Sequence, residues 1–256
     1  MARYRAAQCH IGKSSPSFVS NMRRLLQVKS AKHYTHGHKS GKIAASRMWR
    51  VGLPPIDGGD WNSRVFKKVT AETDLLDTAV LVLSDASGSM CGEKYLTAAK
   101  ACGLINDAFG CVLHVPLCIV AFSTFGETPT HGIMKEFNEK VSPDSMAERF
   151  ADFSTYMSGN NDADSLMWAY HHIIRRKEKR KLIIVLSDGS PADGIGDPVY
   201  ALKSVAATIL KEKMVDLYGI GIMDKNVEKF YPKNRVIKNI SELEPALVEV
   251  LGKALS

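Results

Sequence analysis

Beyond residue 75, apolar residues either form long continuous runs or recur at helical spacing along the chain. Continuous apolar runs are typical of strands that are buried on both faces of a sheet. Four segments predict buried strands on this basis: 77–85, 112–123, 181–189 and 215–222. Two further segments predict strands, a short edge strand at 131–138 and a fifth buried-sheet strand at 234–240. Apolar residues at helical spacing predict five helices between and after the strands: 93–109, 142–157, 163–179, 198–213 and 241–255.

Strands that alternate with helices predict an α/β fold, namely a doubly wound, mainly parallel central sheet with helices on both faces. In such a sheet the binding site lies beyond the carboxyl ends of the strands, near the point where the strand order reverses. Two of the predicted strands end in the same tetrapeptide, VLSD, at 82–85 and at 185–188. Each therefore places an aspartate, Asp85 or Asp188, at that edge of the sheet.

The N-terminal part of the chain differs from the rest and predicts a basic extension over 1–75, followed by the α/β domain over 76–256. Residues 1–70 hold fourteen Lys and Arg and two acids, a net charge of +12, whereas the remainder holds twenty bases and twenty-five acids, a net charge of −5. A segment this basic suits nucleic acid, an acidic protein or the acidic remainder of its own chain. Its clearest predicted element is a short amphipathic helix within 20–34 that places on its apolar side Met22, Leu25, Leu26 and Val28.

The composition disfavours several classes of protein. No apolar run approaches the roughly 20 residues that span a bilayer, and no hydrophobic stretch follows the N-terminal arginines as it would in a secretory signal. We therefore expect a cytoplasmic protein without membrane contact. The five cysteines show no C-x-x-C spacing, so buried free thiols are expected rather than disulfides or a zinc knuckle.

Histidines and aromatic residues outside the strand ends predict no second site. Lysines surround the three histidines of HYTHGHK, His33, His36 and His38, which disfavours a bound cation. His171 and His172 adjoin a basic run at a helix end, where the helix dipole favours positive charge, and predict a solvated terminus. On the same predicted helix, Trp168 and Tyr170 are expected in the core.

The segment DASGS at 85–89 leaves a buried strand and presents a carboxylate and two hydroxyls at alternate positions. A nucleophile elbow would need glycine in place of Asp85, and a Walker A loop would need a lysine before its last hydroxyl. A phosphatase with an aspartyl nucleophile would need a second aspartate in place of Ser87. The remaining choices are a polar turn that caps the next helix and a site for a hard divalent cation, which carboxylate and hydroxyl oxygens suit better.

A D-x-S-x-S segment after a buried strand resembles the metal-ion-dependent adhesion site of von Willebrand factor A domains. The resemblance implies that Asp85, Ser87 and Ser89 form one part of a metal site. It also implies that Asp188, in LSDGSP, matches the aspartate that this family places at the end of a later strand. The metal implied is Mg²⁺, or alternatively Mn²⁺ or Ca²⁺, and no catalytic residue is implied.

One position departs from the family pattern. These domains commonly supply a threonine from a further loop, but SGNNDADSL has Asn160 at that place and Asp162 two residues later. Either side chain offers an oxygen ligand, and the choice between them stays open.

Further segments resemble the carboxyl-terminal domain of CobT-type cobaltochelatase subunits: GNNDADSLMWA, KLIIVLSDGSPAD and DLYGIGI, with RLLQ and WNSRVFKK upstream. The resemblance covers about residues 20–250. Such proteins, including short bacteriophage forms, accompany an AAA+ ATPase of the MoxR/chelatase group. The resemblance therefore implies a non-catalytic, Mg²⁺-dependent interaction module that binds a carboxylate of an AAA+ partner through its metal. The alternatives are a subunit of an ATP-dependent cobalt or magnesium chelatase, which the absence of the family's long acidic region disfavours, and a nucleic-acid-binding protein.

Overall fold

The computed structural model describes residues 14–27, 33–52, 64–70, 77–126, 128–189, 191–192, 194 and 196–253. The chain forms two compact units, one of residues 27–75 and the other of the remaining chain. The helices are α1 (Pro16–Gln27), α2 (Glu93–Ile105), α3 (Pro143–Phe153), α4 (Asp162–Ile174), α5 (Pro198–Glu212) and α6 (Leu243–Lys253). The strands are β1 (His33–His38), β2 (Lys42–Ile43), β3 (Phe66–Thr70), β4 (Thr78–Asp85), β5 (Leu117–Phe125), β6 (Thr128–Lys135), β7 (Arg180–Ser187), β8 (Asp216–Ile222) and β9 (Asn234–Ile237).

The larger unit contains a six-stranded sheet in the order β6-β5-β4-β7-β8-β9. All neighbouring strands are parallel except β5 and the edge strand β6, which are antiparallel. The chain runs from β4 outward to β5 and β6, and then returns to the other side of β4 with β7. The strand order therefore reverses between β4 and β7, and this is where an open α/β sheet places its binding site.

Helices cover both faces of this sheet, as the alternation of strands and helices predicts. Even-numbered residues of β4 such as Val80 and Val82 pack in one apolar cluster with α2, α3 and α6. Odd-numbered residues such as Leu81 and Leu83 pack in the other cluster with α4 and α5. Every residue of β4 is buried, which explains why its sequence is a continuous apolar run rather than an alternating one.

The second predicted strand begins later than its sequence suggests. We predicted a strand over 112–123, but β5 starts at Leu117. The reason is that a π-helical turn over Asn106–Val112 prolongs α2, and His114 then adopts a left-handed conformation with φ 54° before the strand begins. Apolar residues in this connection therefore belong to a turn that packs on the core.

The smaller unit contains a three-stranded antiparallel sheet in the order β1-β3-β2 that the sequence did not predict. Its strands are rich in His and Lys and lack an alternation of apolar and polar residues. Upstream, the predicted amphipathic helix is present but begins at Pro16 and ends at Gln27, with Phe18 and Met22 buried. Tyr34, which we included in that helical segment, lies in β1.

Two expectations from composition are tested by the structure. Cys102 and Cys118 are buried free thiols, as expected, but Cys91 and Cys111 are exposed, so the prediction of buried thiols was wrong for these two. Across the described ranges, no helix combines the length and apolarity that a membrane crossing requires.

Candidate metal centre

The site begins where β4 ends, at the fully buried carboxylate of Asp85. Its Oδ1 accepts a hydrogen bond of 2.8 Å from the Ser87 backbone N–H, which turns the chain immediately after the strand. Its Oδ2 accepts one of 2.8 Å from the Ser187 hydroxyl on the adjacent strand β7. The hydroxyl oxygens of Ser87 and Ser89 are 3.0 Å apart. The turn therefore gathers one carboxylate and two hydroxyls at the carboxyl edge of the sheet.

A second loop is fixed to the same edge by hydrogen bonds to β5. Gly159 and Thr124 exchange backbone hydrogen bonds of 2.9 and 3.0 Å, and the Thr124 hydroxyl accepts a bond of 3.0 Å from the Asn161 N–H. The Gly88 N–H donates to the Ser158 carbonyl at 2.6 Å, which joins this loop to the first one. The Asn161 side chain then caps α4, so the helix starts at a defined position beside the site.

Asn160 and Asp162 both lie in this second loop, buried at 2% exposure. The Asn160 amide donates to Asp85 Oδ2 at 3.4 Å. Asp162 is the first residue of α4, and its Oδ2 has no hydrogen-bond partner among the described residues. Buried polar atoms are normally paired, so this carboxylate oxygen is suited to a ligand that the protein itself does not provide.

Asp188 follows β7 and is 2% exposed. Its Oδ2 forms an ion pair of 3.0 Å with Lys94 at the start of α2, and its Oδ1 lacks a hydrogen-bond partner in the described parts of the chain. The next residue, Gly189, has φ +70°, and a Cβ atom there would lie 2.5 Å from the backbone nitrogen of Val227. Only glycine fits this turn, so the chain leaves the strand sharply and the Asp188 carboxylate stays at the sheet edge.

Burial makes this cluster electrostatically costly without a cation. Burial raises the pKa of Asp85 from 3.8 to about 6. Burial and the negative charges of Asp85 and Asp188 raise the pKa of Asp162 well above its usual range. Burial, with the charges of Asp162 and Asp85, also raises the pKa of the Tyr231 hydroxyl. A divalent cation would remove this cost, and the oxygen-only donors are those of a hard ion such as Mg²⁺.

The structure brings all six predicted site residues to one edge of the sheet, and metal ligation by them stays a prediction. Five of the six are buried and Ser89 is exposed. The six residues are Asp85, Ser87, Ser89, Asn160, Asp162 and Asp188.

Three neighbours of the site were missed by sequence reasoning: Lys94, Thr124 and Ser187. A signal for Ser187 was present in the second VLSD tetrapeptide, residues 185–188. Because Ser84 pairs with Leu186, the two tetrapeptides are offset by one residue, and Ser187 rather than Asp188 lies beside Asp85. No pattern in the sequence marked Lys94 or Thr124.

The predicted solvated terminus of α4 is wrong for His172. The His172 ring stacks on Trp168 at 4.9 Å and on Phe137 at 5.6 Å between ring centroids. Tyr170 is buried, as expected, whereas Trp168 is only partly buried and also stacks on His131 at 4.6 Å. A row of aromatic and imidazole rings therefore covers the surface of α4 near its carboxyl end.

A mainly parallel sheet with this strand order and an acidic, hydroxyl-rich carboxyl edge is that of a von Willebrand A-type α/β domain. Within that class, residues 65–256 match the family model of the cobalamin biosynthesis protein CobT VWA domain, and the chain belongs to this family.

Solved structures with the same fold come from different contexts. Proximal thread matrix protein 1 from the mussel byssus is similar with a TM-score of 0.52 at 17% identity, over 70% of this chain and 48% of that protein. The PilB minor pilin from Streptococcus sanguinis is similar with a TM-score of 0.51 at 12% identity, over 70% and 61% of the two chains. The pilus adhesin SpaC from Lactobacillus rhamnosus GG matches at 0.50 and 14%, over 70% and 30%. The chain thus spans under two thirds of each of these proteins, and the likeness extends to the fold alone.

Proposed function

We propose that this chain is a Mg²⁺-dependent protein-interaction module that binds a carboxylate of a partner protein through the metal. The observation that carries the proposal is the convergence of three buried carboxylates with two unpartnered oxygens, on Asp162 and Asp188, at the reversal point of the sheet. An isolated buried charge costs several kcal/mol. Three buried carboxylates, of which only Asp188 has an ammonium partner in Lys94, therefore favour a cation as part of the working protein.

The residues of the site divide into ligands and orienting groups in this proposal. Ser87 and Ser89 supply hydroxyl ligands, and Asp162 takes the place of the family's threonine. Asn160 already donates to Asp85 and is assigned the task of orienting that carboxylate. Bound Mg²⁺ supplies a Lewis acid that accepts one further anionic oxygen. Asp162→Asn should therefore weaken Mg²⁺ binding more than Asn160→Ala, as measured by isothermal titration calorimetry, and the reverse order would reassign the ligand to Asn160.

Exposed aromatic residues at the same sheet edge support a docking role. Phe125 at the end of β5 is 67% exposed, Tyr156 before the second loop 52%, and Tyr200 in the first turn of α5 72%. Exposed aromatic side chains near a polar centre are typical of residues that dominate protein interfaces. In this proposal they bind apolar side chains that flank the partner's acidic residue.

The proposed partner is an AAA+ ATPase of the MoxR/chelatase group, a proposal that membership of the CobT family supports. A recombinant ATPase of that group from the same genome should bind the purified chain in a pull-down with Mg²⁺ and be released by EDTA. Asp85→Ala should abolish binding while circular dichroism shows a folded domain. The exposed aspartate Asp152 provides a matched control, since Asp152→Ala removes a carboxylate elsewhere and should bind normally. Binding that survives both EDTA and Asp85→Ala would refute the proposal.

Two alternatives each have an observation in their favour. The family description names cobalamin biosynthesis, which supports a role as a chelatase subunit, and a reconstituted metal-insertion assay with the ATPase tests it. The described residues of the smaller unit, 33–52 and 64–70, carry seven Lys and Arg and no Asp or Glu, which favours nucleic-acid binding. Binding of that kind should weaken steeply with added salt.

A further inference from the structure

We propose a second metal site, for Zn²⁺ or a similar borderline-soft ion, formed by Cys118, Glu136 and His172. The thiol sulfur, one carboxylate oxygen and one imidazole nitrogen lie within 4.8 Å of one another. These are the three donor types that bind zinc in proteins. None of the three belongs to the oxygen-rich site at the carboxyl edge.

Three elements of the fold bring the ligands together. Cys118 is the second residue of β5 and is fully buried. Lys135, the last residue of the antiparallel edge strand β6, pairs with Ile119, so Glu136 arrives beside Cys118 as the chain leaves the sheet. His172 lies on α4, the helix that covers this face of the sheet. Two of the ligands, Cys118 and His172, therefore lie in a strand and a helix, and the third, Glu136, is the first residue after the edge strand, an arrangement that restrains their relative positions.

The His172 ring is oriented for ligation. Trp168 and Phe137 stack on it at interplanar angles of 10° and 21°, which restrains the plane of the ring. Its Nε2 is buried without a hydrogen-bond partner among the described residues and lies 3.8 Å from Glu136 Oε2. That separation is too long for a hydrogen bond, and it is a few tenths of an ångström above the ~3.3 Å between oxygen and nitrogen ligands of tetrahedral zinc.

Charge and access also suit a divalent ion. A thiolate and a carboxylate together offset a 2+ charge. The Lys135 ammonium, which donates to the Leu117 carbonyl at 2.8 Å, and the guanidinium groups of Arg175 and Arg176 along the adjoining groove oppose it. Burial raises the pKa of the Cys118 thiol to about 12, so binding must displace the thiol proton. A groove of about 330 Å³, lined by Glu136, His172 and Arg175 among others, adjoins the cluster. In this proposal a fourth ligand, such as a water molecule, would enter from this groove to complete the zinc coordination.

The two proposed sites are separate. Asp85 lies beside Phe122, four residues along β5 from Cys118, which corresponds to roughly 13 Å at the rise of a strand. Along α4, Asp162 and His172 are ten residues apart, or about 15 Å. Loss of the first site therefore leaves the second intact, and the two proposals fail independently.

The test uses the whole 256-residue chain, stripped of metal and dialysed, with Zn²⁺ as the probe and Mg²⁺ present in excess to occupy the first site. Calorimetry should give one Zn²⁺ per chain, and Co²⁺ should show a thiolate-to-cobalt charge-transfer band. Cys118→Ala and His172→Ala should each weaken Zn²⁺ binding by about 100-fold or more, the loss expected for a direct ligand when outer-shell contacts alone give 10–100-fold. The exposed Glu136→Gln, which does not disturb the core, should weaken it as well.

Matched controls separate ligation from general effects. His171→Ala changes the neighbouring histidine of the same helix, and Cys102→Ala removes the other buried thiol; both should bind Zn²⁺ as the parent does. Asp85→Ala should also retain Zn²⁺ binding, whatever it does to Mg²⁺. If folded Glu136→Gln and His172→Ala chains bind Zn²⁺ as tightly as the parent, or if no Zn²⁺ binds at all, the site does not exist.

Discussion

Replacing the central carboxylate of the candidate metal centre should stabilise the protein when no metal is present. Asp85 is fully buried, and burial raises its pKa from 3.8 to about 6. An acid whose pKa is higher in the folded state binds more protons there than in the unfolded chain. Its ionisation therefore destabilises the folded state as the pH rises through this window. Asp85→Asn has the same shape and no charge, so it should lack this penalty.

The size of the effect follows from the pKa difference. Each pKa unit corresponds to about 1.4 kcal/mol, so the shift of Asp85 from 3.8 to about 6 amounts to about 3 kcal/mol. Below pH 3.8 the folded parent and Asp85→Asn should be about equally stable. The advantage of Asp85→Asn should grow by about 1.4 kcal/mol per pH unit up to pH 6 and then remain constant. Excess Mg²⁺ should reverse the order, because it binds the parent and stabilises it by mass action.

The assay is urea denaturation of both proteins in EDTA at several pH values from about 4 to 8, which covers the range between the two pKa values of Asp85, followed by the same series in Mg²⁺. The difference between the two free energies of unfolding cancels contributions from titrating groups away from the site, such as Glu139 and Glu178. Asp162 does not cancel, because the charge of Asp85 helps to raise its pKa, and its contribution increases the advantage of Asp85→Asn. If Asp85→Asn is less stable than the parent in EDTA at pH 7.5, Asp85 carries no desolvation penalty, and the electrostatic argument for a cation fails.

Other predictions follow from single contacts around the site and in the core. Lys94→Met removes the ammonium that competes with a cation for the Asp188 carboxylate. Because a half-buried ion pair contributes about 1–2 kcal/mol, calorimetry should show Mg²⁺ binding about tenfold tighter, and weaker or unchanged binding would contradict this. Thr124→Val removes the acceptor for the Asn161 N–H and should lower Mg²⁺ affinity while the thermal unfolding midpoint falls by only a few degrees, about 1 kcal/mol. Gly219→Ala places a Cβ atom 2.5 Å from the buried Tyr231 ring. Urea denaturation should show that the free energy of unfolding falls by about 1–3 kcal/mol, and a fall within the error of the measurement would show that the ring can move.

The sequence predicted the sheet well because its strands are buried on both faces. A largely apolar segment such as 181–189 can form few structures other than a buried strand. The aspartates that end two such segments mark the carboxyl edge of the sheet. Sequence reasoning failed where local conformation depends on distant partners. The strands of the smaller unit pair Tyr34 with Val69 and Thr35 with Lys68, and neither strand shows a buried face in its own pattern.

Sequence reasoning predicted those residues of the candidate site that belong to a recognisable motif, and missed the others. Asp85, Ser87 and Ser89 follow each other along the chain, so their spacing could be recognised directly. Lys94 is partly buried near the start of α2, and one lysine in a sequence with thirty-four Lys and Arg gives no signal of its own. Its role depends on α2 starting beside the end of β7, which is a property of the tertiary structure.

The reversal of strand order between β4 and β7 also decides when in folding the ion can act. Asp85 and its hydrogen-bond partner Ser187 are 102 residues apart, and Asp162 joins them only after α4 has docked on the sheet. Such long-range contacts form late because loop closure must come first. During synthesis, we therefore expect the proposed site to bind an ion only after the chain beyond residue 188 has left the ribosome. Mg²⁺ should then slow unfolding and leave the rate of refolding unchanged, because it stabilises the folded domain and not the folding nucleus.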